Sequence, residues 1–191
     1  MKNAKKILSL LLCAVLLVGA TIAGTVAYLT SQDEVTNTFT VGKVVITLDE
    51  TDVDVNGVKD GDTRVEANTY KLIPGHTYVK DPVVHVDAES ENCFLYIKVE
   101  NQIAGIEAAT TIADQLAANG WSLVTGETDV YTYKEVCGAG YNVTTFTQFK
   151  VREDEQDLSA YNGLTVKVTA YAVQHDGFAN ATAAWDATFG A

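Results

Sequence analysis

The chain has 191 residues, 47% of them apolar and 20% charged, with a formal net charge of −12. A chain of that length and apolar content can bury a full-sized core as one domain. The acidic balance argues against nucleic acid as a partner, and against an anionic membrane surface, because both would repel it.

At the N-terminus Lys2, Lys5 and Lys6 precede an apolar run over residues 7–23. A basic start, an apolar stretch and then small residues describe a signal peptide over residues 1–27. Thr25 and Ala27 stand at −3 and −1 of a cut before Tyr28. The run is long for a cleaved signal, so an uncleaved membrane anchor is the alternative. Under either reading the basic end stays inside and the rest is exported, so the chain is expected to be secreted. Cys13 lies mid-run behind Leu12, a poor setting for lipid attachment. Removing residues 1–27 from the 191 leaves 164, and the loss of three lysines moves the net charge from −12 to −15. Cys93 and Cys137 remain, and two readings stay open for them: a disulfide formed in an oxidising compartment, or two unrelated thiols.

Residues 28–42 form an extended arm. Residues 28–41 contain neither Pro nor Gly and are rich in strand-forming Val, Thr and Phe. Val35, Phe39 and Val41 share one parity, while Thr36, Thr38 and Thr40 share the other. From the residues alone, a disordered leader, a first strand of the same molecule and a strand given to a neighbour are all open.

A sandwich domain is expected over residues 43–191. Lys43–Glu50 alternates as a half-buried strand with Val44, Ile46 and Leu48 on one face. Asn56-Gly57 predicts a two-residue hairpin turn. Short extended pieces follow at Tyr70–Pro74, Thr77–Lys80 and Pro82–Val86. Cys93–Glu100 is the strongest strand, with Leu95, Ile97 and Val99 on one face. A helix is expected over Ile106–Ala118, stopped by Gly120. Trp121–Val124, Val130–Val136, Val143–Val151 and Leu164–Val173 return to strand. Asn180–Phe189 reads as a short helix, packed on the body by Trp185 and Phe189. The fold class is therefore all-β: an antiparallel β-sandwich with one helical insertion and a short C-terminal helix, preceded by a signal peptide.

Two blocks of sequence carry a resemblance. GTVAYLTSQDEVTNTFTVGKVVITLDE, over Gly24–Glu50, resembles the entry region of exported proteins cut by the SipW-type signal peptidase. YKLIPGHTYVKDPVVHVDAESENCFLYIKVEN, over Tyr70–Asn101, looks like the matching body, and VTAYAVQHDGF resembles the usual last strand. Together they are similar to the TasA/camelysin family of biofilm fibre and surface proteins. The resemblance implies a jelly-roll sandwich, export from a Gram-positive-type bacterium and a place in the extracellular matrix or on the cell surface. It also implies fibre assembly by donor-strand exchange, with the freed arm completing the sheet of the next subunit and Val35, Phe39 and Val41 facing its groove. Partners would be further copies of the chain, a SipW-type signal peptidase, and an accessory matrix protein or exopolysaccharide. There is no LPxTG-like sorting motif, so retention at the surface is expected to come from assembly or from a partner.

Other chemistry is thin. Asp52, Asp54, Asn56 and Asp60 fit early positions of a calcium loop, but Thr63 stands where a bidentate Glu is required, and the flanks alternate as strands. Calcium is thus a weak candidate, and otherwise no cofactor is expected. Camelysin-like proteins are classed as metallopeptidases, yet His76, His85 and His175 form no HExxH pair. The expectation is a non-enzymatic structural subunit. A monomeric binding module for glycan, calcium or host matrix is the second reading, and a camelysin-like secreted metallopeptidase the third.

Overall fold

The computed structural model describes residues 42–190, together with positions 3, 6 and 10–15, which are helical. The chain divides into two compact units, Met1–Thr40 and Val41–Ala191. The processing residues Thr25, Ala27 and Tyr28 and the arm residues Val35, Phe39 and Val41 lie outside the described residues. Among the described residues no helix is long and apolar enough to cross a membrane.

The second unit is built from ten strands: β1 (Ile46–Val53), β2 (Lys59–Val65), β3 (Thr77–Val79), β4 (Val83–Val86), β5 (Cys93–Asn101), β6 (Trp121–Leu123), β7 (Val130–Tyr133), β8 (Asn142–Thr144), β9 (Gln148–Lys150) and β10 (Val166–Gln174). One sheet has the order β2-β1-β4-β8, a second the order β10-β5-β7-β6, and β3 and β9 form a separate pair. Every pairing is antiparallel. The core lies between the sheets, where Val84, Val86 and Val143 of the first meet Leu95, Ile97 and Val99 of the second, with Tyr78 and Phe149 closing one end.

Strand β5 follows from its alternation. Leu95 and Ile97 point into the core and are fully buried. Phe94 and Tyr96 point to the opposite face, where α2 (Ala181–Thr188) covers them. Asn180 caps that helix by accepting from the Ala183 N–H at 2.9 Å. Trp185 then lies against Tyr96 and Tyr171, and its indole N–H donates to Glu127 at 3.0 Å. Phe189 lies against Trp185 with ring centroids 4.6 Å apart and the planes tilted by 43°. The C-terminal helix therefore packs onto the sandwich as its composition predicts.

Three expected elements differ in detail. The stretch Ile106–Ala118 is only partly helical: a 3-10 turn over Ala104–Ile106 is followed by extended chain, and the helix α1 (Ile112–Ala118) starts only at Ile112. Glu107 there bridges Val151, and Thr110 takes a positive φ of 69°. The helix starts where Thr111 and Asp114 form a capping box: the Thr111 hydroxyl accepts from the Asp114 N–H, and the Asp114 carboxylate from the Thr111 N–H. The run Val143–Val151 is divided into β8 and β9, because Thr145 turns the chain, its N–H and hydroxyl both donating to the Pro82 carbonyl.

The third difference is the first hairpin. Val53 pairs with Lys59, so the loop is five residues long and not two. Of Asn56 and Gly57 only the glycine has positive φ, at 71°. Asp54 organises the turn, its carboxylate accepting from the Asn56 and Val58 N–H groups at 2.9 Å each. Those hydrogen bonds, that from Val58 foremost, hold the Asp54 carboxyl below its ordinary value. A Cβ on Gly57 would meet the ring of Tyr78 at 2.7 Å and its Cα at 2.8 Å. Both the backbone angle and the approach of Tyr78 therefore require glycine. Gly57→Ala is expected to destabilise the domain by about 2–4 kcal/mol, from left-handed strain plus overpacking, as read from the shift in a urea unfolding midpoint.

Candidate functional site

Among the described residues lies a cleft of about 780 Å³. One wall is the segment 66–72, which leads from β2 toward β3, and the other is the start of β10 from Leu164 to Val168. Ile103, Phe149, Leu158 and Tyr161 supply apolar lining. Strand β10 pairs only with β5 among the described residues, so its other edge carries backbone N–H and C=O groups with no strand beside them.

Burial across this sheet is uneven. On β5 the inward residues Leu95 and Ile97 are 0% exposed. On β10 the inward stripe Val166, Val168, Ala170 and Ala172 packs on the same core but is only half-buried, and Leu164 just before it is 41% exposed. The sandwich is thus well covered at its centre and open along β10.

At the cleft's polar end lies a buried ion pair. Glu50 follows Val44, Ile46 and Leu48 in parity, so the alternation of β1 turns its carboxylate inward. Its Oε2 accepts from Lys80 Nζ at 2.7 Å, with the side chains only 6% and 10% exposed. Asn68 completes the arrangement, its amide donating to Glu50 Oε1 at 2.9 Å and to the Thr51 carbonyl at 2.8 Å, while its Oδ1 accepts from the Val53 N–H. Tyr70 stands beside Lys80, its ring centroid 5.8 Å from Nζ. Burial pushes the Tyr70 phenol far above its ordinary value, with the Glu50 and Asp81 carboxylates adding to the effect, so it remains a donor and bonds the Val79 carbonyl at 3.1 Å.

A second polar cluster lies where β1, β2 and β4 meet. Arg64 donates to Asp49 and reaches Asp81, and His85 Nε2 lies 2.9 Å from Asp49. Burial pushes the Asp49 carboxyl upward, but the hydrogen bonds from Arg64 and His85 outweigh it and hold the group below its ordinary value of 3.8.

Each of the three histidines bonds a different neighbour. His76 Nε2 donates to the Asn56 carbonyl at 2.7 Å, His85 is engaged by Asp49 and Asn142, and His175 Nδ1 lies 3.0 Å from Asp176. Among the described residues no group of three or more His, Cys, Asp or Glu side chains is placed to share a metal ion. This donor set does not fit the zinc of a peptidase, which needs convergent ligands and an open position. In the calcium-loop candidate, Asp54 and Asn56 meet within one turn, Asp52 accepts from the Thr63 hydroxyl at 3.1 Å, and Asp60 lies on β2. Cys93 and Cys137 are brought directly opposite one another, as free thiols.

Among the described residues the fold is an all-β sandwich in which one of the sheet edges, β10, borders the cleft. The family model for the camelysin metallo-endopeptidases matches residues 2–74, supporting the resemblance to the TasA/camelysin family. The match spans the basic N-terminus, the arm, β1, β2 and the first wall of the cleft. No curated protein and no solved structure matches the chain.

Sequence reading missed the ion pair. The inward parity of Glu50 was its only local signal, since Lys80 and Asn68 lie far off in the chain.

Replacing Lys80 by Met leaves a buried carboxylate without its cation and is expected to cost about 3–5 kcal/mol, with most of it recovered in the double variant Lys80→Met/Glu50→Leu. Equilibrium unfolding of the three proteins measures this. The lowered Asp49 carboxyl contributes stability that is complete above its ordinary value of 3.8 and lost as pH falls through its lower folded value. Asp49→Asn should therefore flatten the fall in stability below about pH 4, as seen in melting temperatures taken across the acid range.

Proposed function

We propose that this protein is an exported, non-enzymatic structural subunit of an extracellular matrix or cell-surface fibre. Its N-terminal arm, residues 28–41, adds as a strand along β10 of the next copy. The observation that carries this reading is the open β10 edge beside a cleft with a half-buried apolar stripe. An added strand supplies the missing backbone hydrogen bonds, and its alternate side chains set the register.

The occupant is argued from length, pattern and charge. Fourteen extended residues reach about 46 Å, ample for the nine residues of β10, which span about 30 Å. Val35, Phe39 and Val41 share the parity that would face the cleft. The lining holds Lys71, Lys80 and Lys167 against Glu50 and Glu66, a net positive set on a chain of net charge −12. The arm carries Asp33 and Glu34. Attachment of the signal would hold Tyr28 at the membrane, so cleavage after Ala27 is the step that releases the arm.

Protein starting at Tyr28 should form polymers that grow with concentration, while protein starting at Gly42 stays monomeric. Adding a peptide of residues 28–41 to the shorter protein should raise its melting temperature, and the same peptide with Phe39→Asp should not. Size exclusion and electron microscopy read the first comparison and calorimetry the second. Monomers from both proteins at every concentration would remove the fibre reading. If that monomer instead melts higher with a glycan, it is a binding module.

A further inference from the structure

Cys93 opens β5, and Cys137 lies in the crossover from β7 to β8. The register of β5 on β7 pairs Lys98 with Val130 and Tyr96 with Thr132. Carried three residues further, it would set Glu135 against Cys93. The structure places Cys137 there instead, in an isolated antiparallel bridge, so two extra residues bulge out between Tyr133 and Cys137. The bridge is reciprocal: the Cys93 N–H donates to the Cys137 carbonyl at 2.8 Å and the Cys137 N–H to the Cys93 carbonyl at 2.9 Å.

Residues paired in this way lie with Cα atoms about 5.5 Å apart and side chains on the same face. Here that face is the core, and both cysteines are 0% exposed. Disulfides span Cα separations of about 4.4–6.8 Å, with the commonest value near that of such a pair. Their Cβ atoms lie about 3.8 Å apart, against about 5.5 Å for a hydrogen-bonded pair, so the two segments must draw together by about 1.7 Å. The crossover can yield, because it has the bulge on one side of Cys137 and Gly138-Ala139-Gly140 on the other.

We propose that in the exported protein Cys93 and Cys137 are oxidised to a disulfide that clamps the β7–β8 crossover to the start of β5. That crossover is the passage from the second sheet to the first, so the bond fixes one covalent tie at the point where the chain changes sheets. The oxidant is a disulfide of the surrounding compartment. One cysteine thiolate attacks its S–S bond and expels one sulfur as a thiolate. The second cysteine thiolate then attacks the mixed disulfide, forming the Cys93–Cys137 bond and expelling the other sulfur. The two cysteines lose two electrons and two protons, and the oxidant is reduced to two thiols.

Timing follows from burial. Burial pushes the Cys93 thiol up to about 11 and the Cys137 thiol up to about 12, the latter helped by Cys93 itself and Glu135. The folded dithiol therefore carries little thiolate, the form that attacks, and exchange belongs to the folding chain before the core closes. The clamp depends on export alone and stands independently of fibre assembly.

The test is refolding of the full chain carrying Cys13→Ser in a buffer of oxidised and reduced glutathione, followed by alkylation in denaturant and peptide mapping. The expected result is a linked Cys93–Cys137 peptide and a melting temperature that falls by roughly 5–15 °C on reduction. Cys93→Ala and Cys137→Ala variants should lose both the link and the sensitivity to reductant. If refolding yields no folded chain, protein recovered from an oxidising secretory compartment gives the same measurement. Full alkylation of both thiols after oxidative folding would overturn the proposal, as would a linked pair whose melting temperature ignores reductant.

Discussion

A sheet edge leaves backbone donors and acceptors that only water or another strand can satisfy, and among the described residues the edge at β10 is the one that borders the cleft. On its outer face the second sheet is sealed by α2, with Trp185 over Tyr96 and Tyr171. On its inner face β5 is buried completely while the stripe on β10 is not. The domain is therefore asymmetric: one flank of the sheet continues into β7 and β6, and the other ends over a cleft. An edge left flat and apolar is an aggregation hazard unless it is covered, charged or committed to a particular partner. Lys167 and Thr169 face outward on β10, which blunts that side, while the inward stripe keeps its apolar character.

The cleft also shows how a charge is tolerated in such a place. Burying Glu50 or Lys80 alone would cost several kcal/mol. Each is stabilised by the other at 2.7 Å, and Asn68 occupies the remaining carboxylate oxygen while tying down β1. Because Asn68 belongs to the 66–72 wall, the pair and the wall are mutually dependent. The wall has no strand pairing among the described residues; this side-chain network holds it in place together with the Tyr70 bond to Val79, the Lys71 N–H bond to the Val55 carbonyl, the Tyr78 hydroxyl bond to the Lys71 carbonyl and the packing of Tyr70 and Leu72 on the core. On a chain of net charge −12, copies repel one another at long range and salt weakens that repulsion. Any close association would therefore have to rest on backbone hydrogen bonds and apolar contact, which an edge strand beside a cleft offers.

Strands with strong alternation were legible in the sequence, and the site was not. Leu95, Ile97 and Val99 announce β5, and Val44, Ile46 and Leu48 place β1 correctly, although its ladder starts three residues after Lys43, at Ile46, and runs to Val53. The hairpin length was misjudged because the carboxylate of Asp54, and not a left-handed Asn56, organises the turn. The helix over Ile106–Ala118 was drawn too long, although the Thr111–Asp114 spacing marked its true start. The cleft is assembled from residues 50, 66–72, 80, 103, 149 and 158–168, and no local pattern brings those together. The bridge between Cys93 and Cys137 was equally hidden, since the two-residue bulge that aligns them breaks the register a sequence reading would extend.

The name attached to the matching family raises the question of a peptidase, and the position of the match bears on it. Residues 2–74 contain none of the three histidines, which stand at 76, 85 and 175. The matched stretch covers the basic and apolar start, the first hairpin and the first wall of the cleft. A zinc peptidase needs two or three ligands turned to one point and a base beside the open position. Here each imidazole is already engaged by a different neighbour: a backbone carbonyl for His76, Asp49 and Asn142 for His85, and Asp176 for His175. Bringing them onto one metal would mean breaking the β1–β4 cluster at His85 and moving His175 off the end of β10. Among the described residues the three imidazoles therefore do not form the convergent donor set that a zinc site requires.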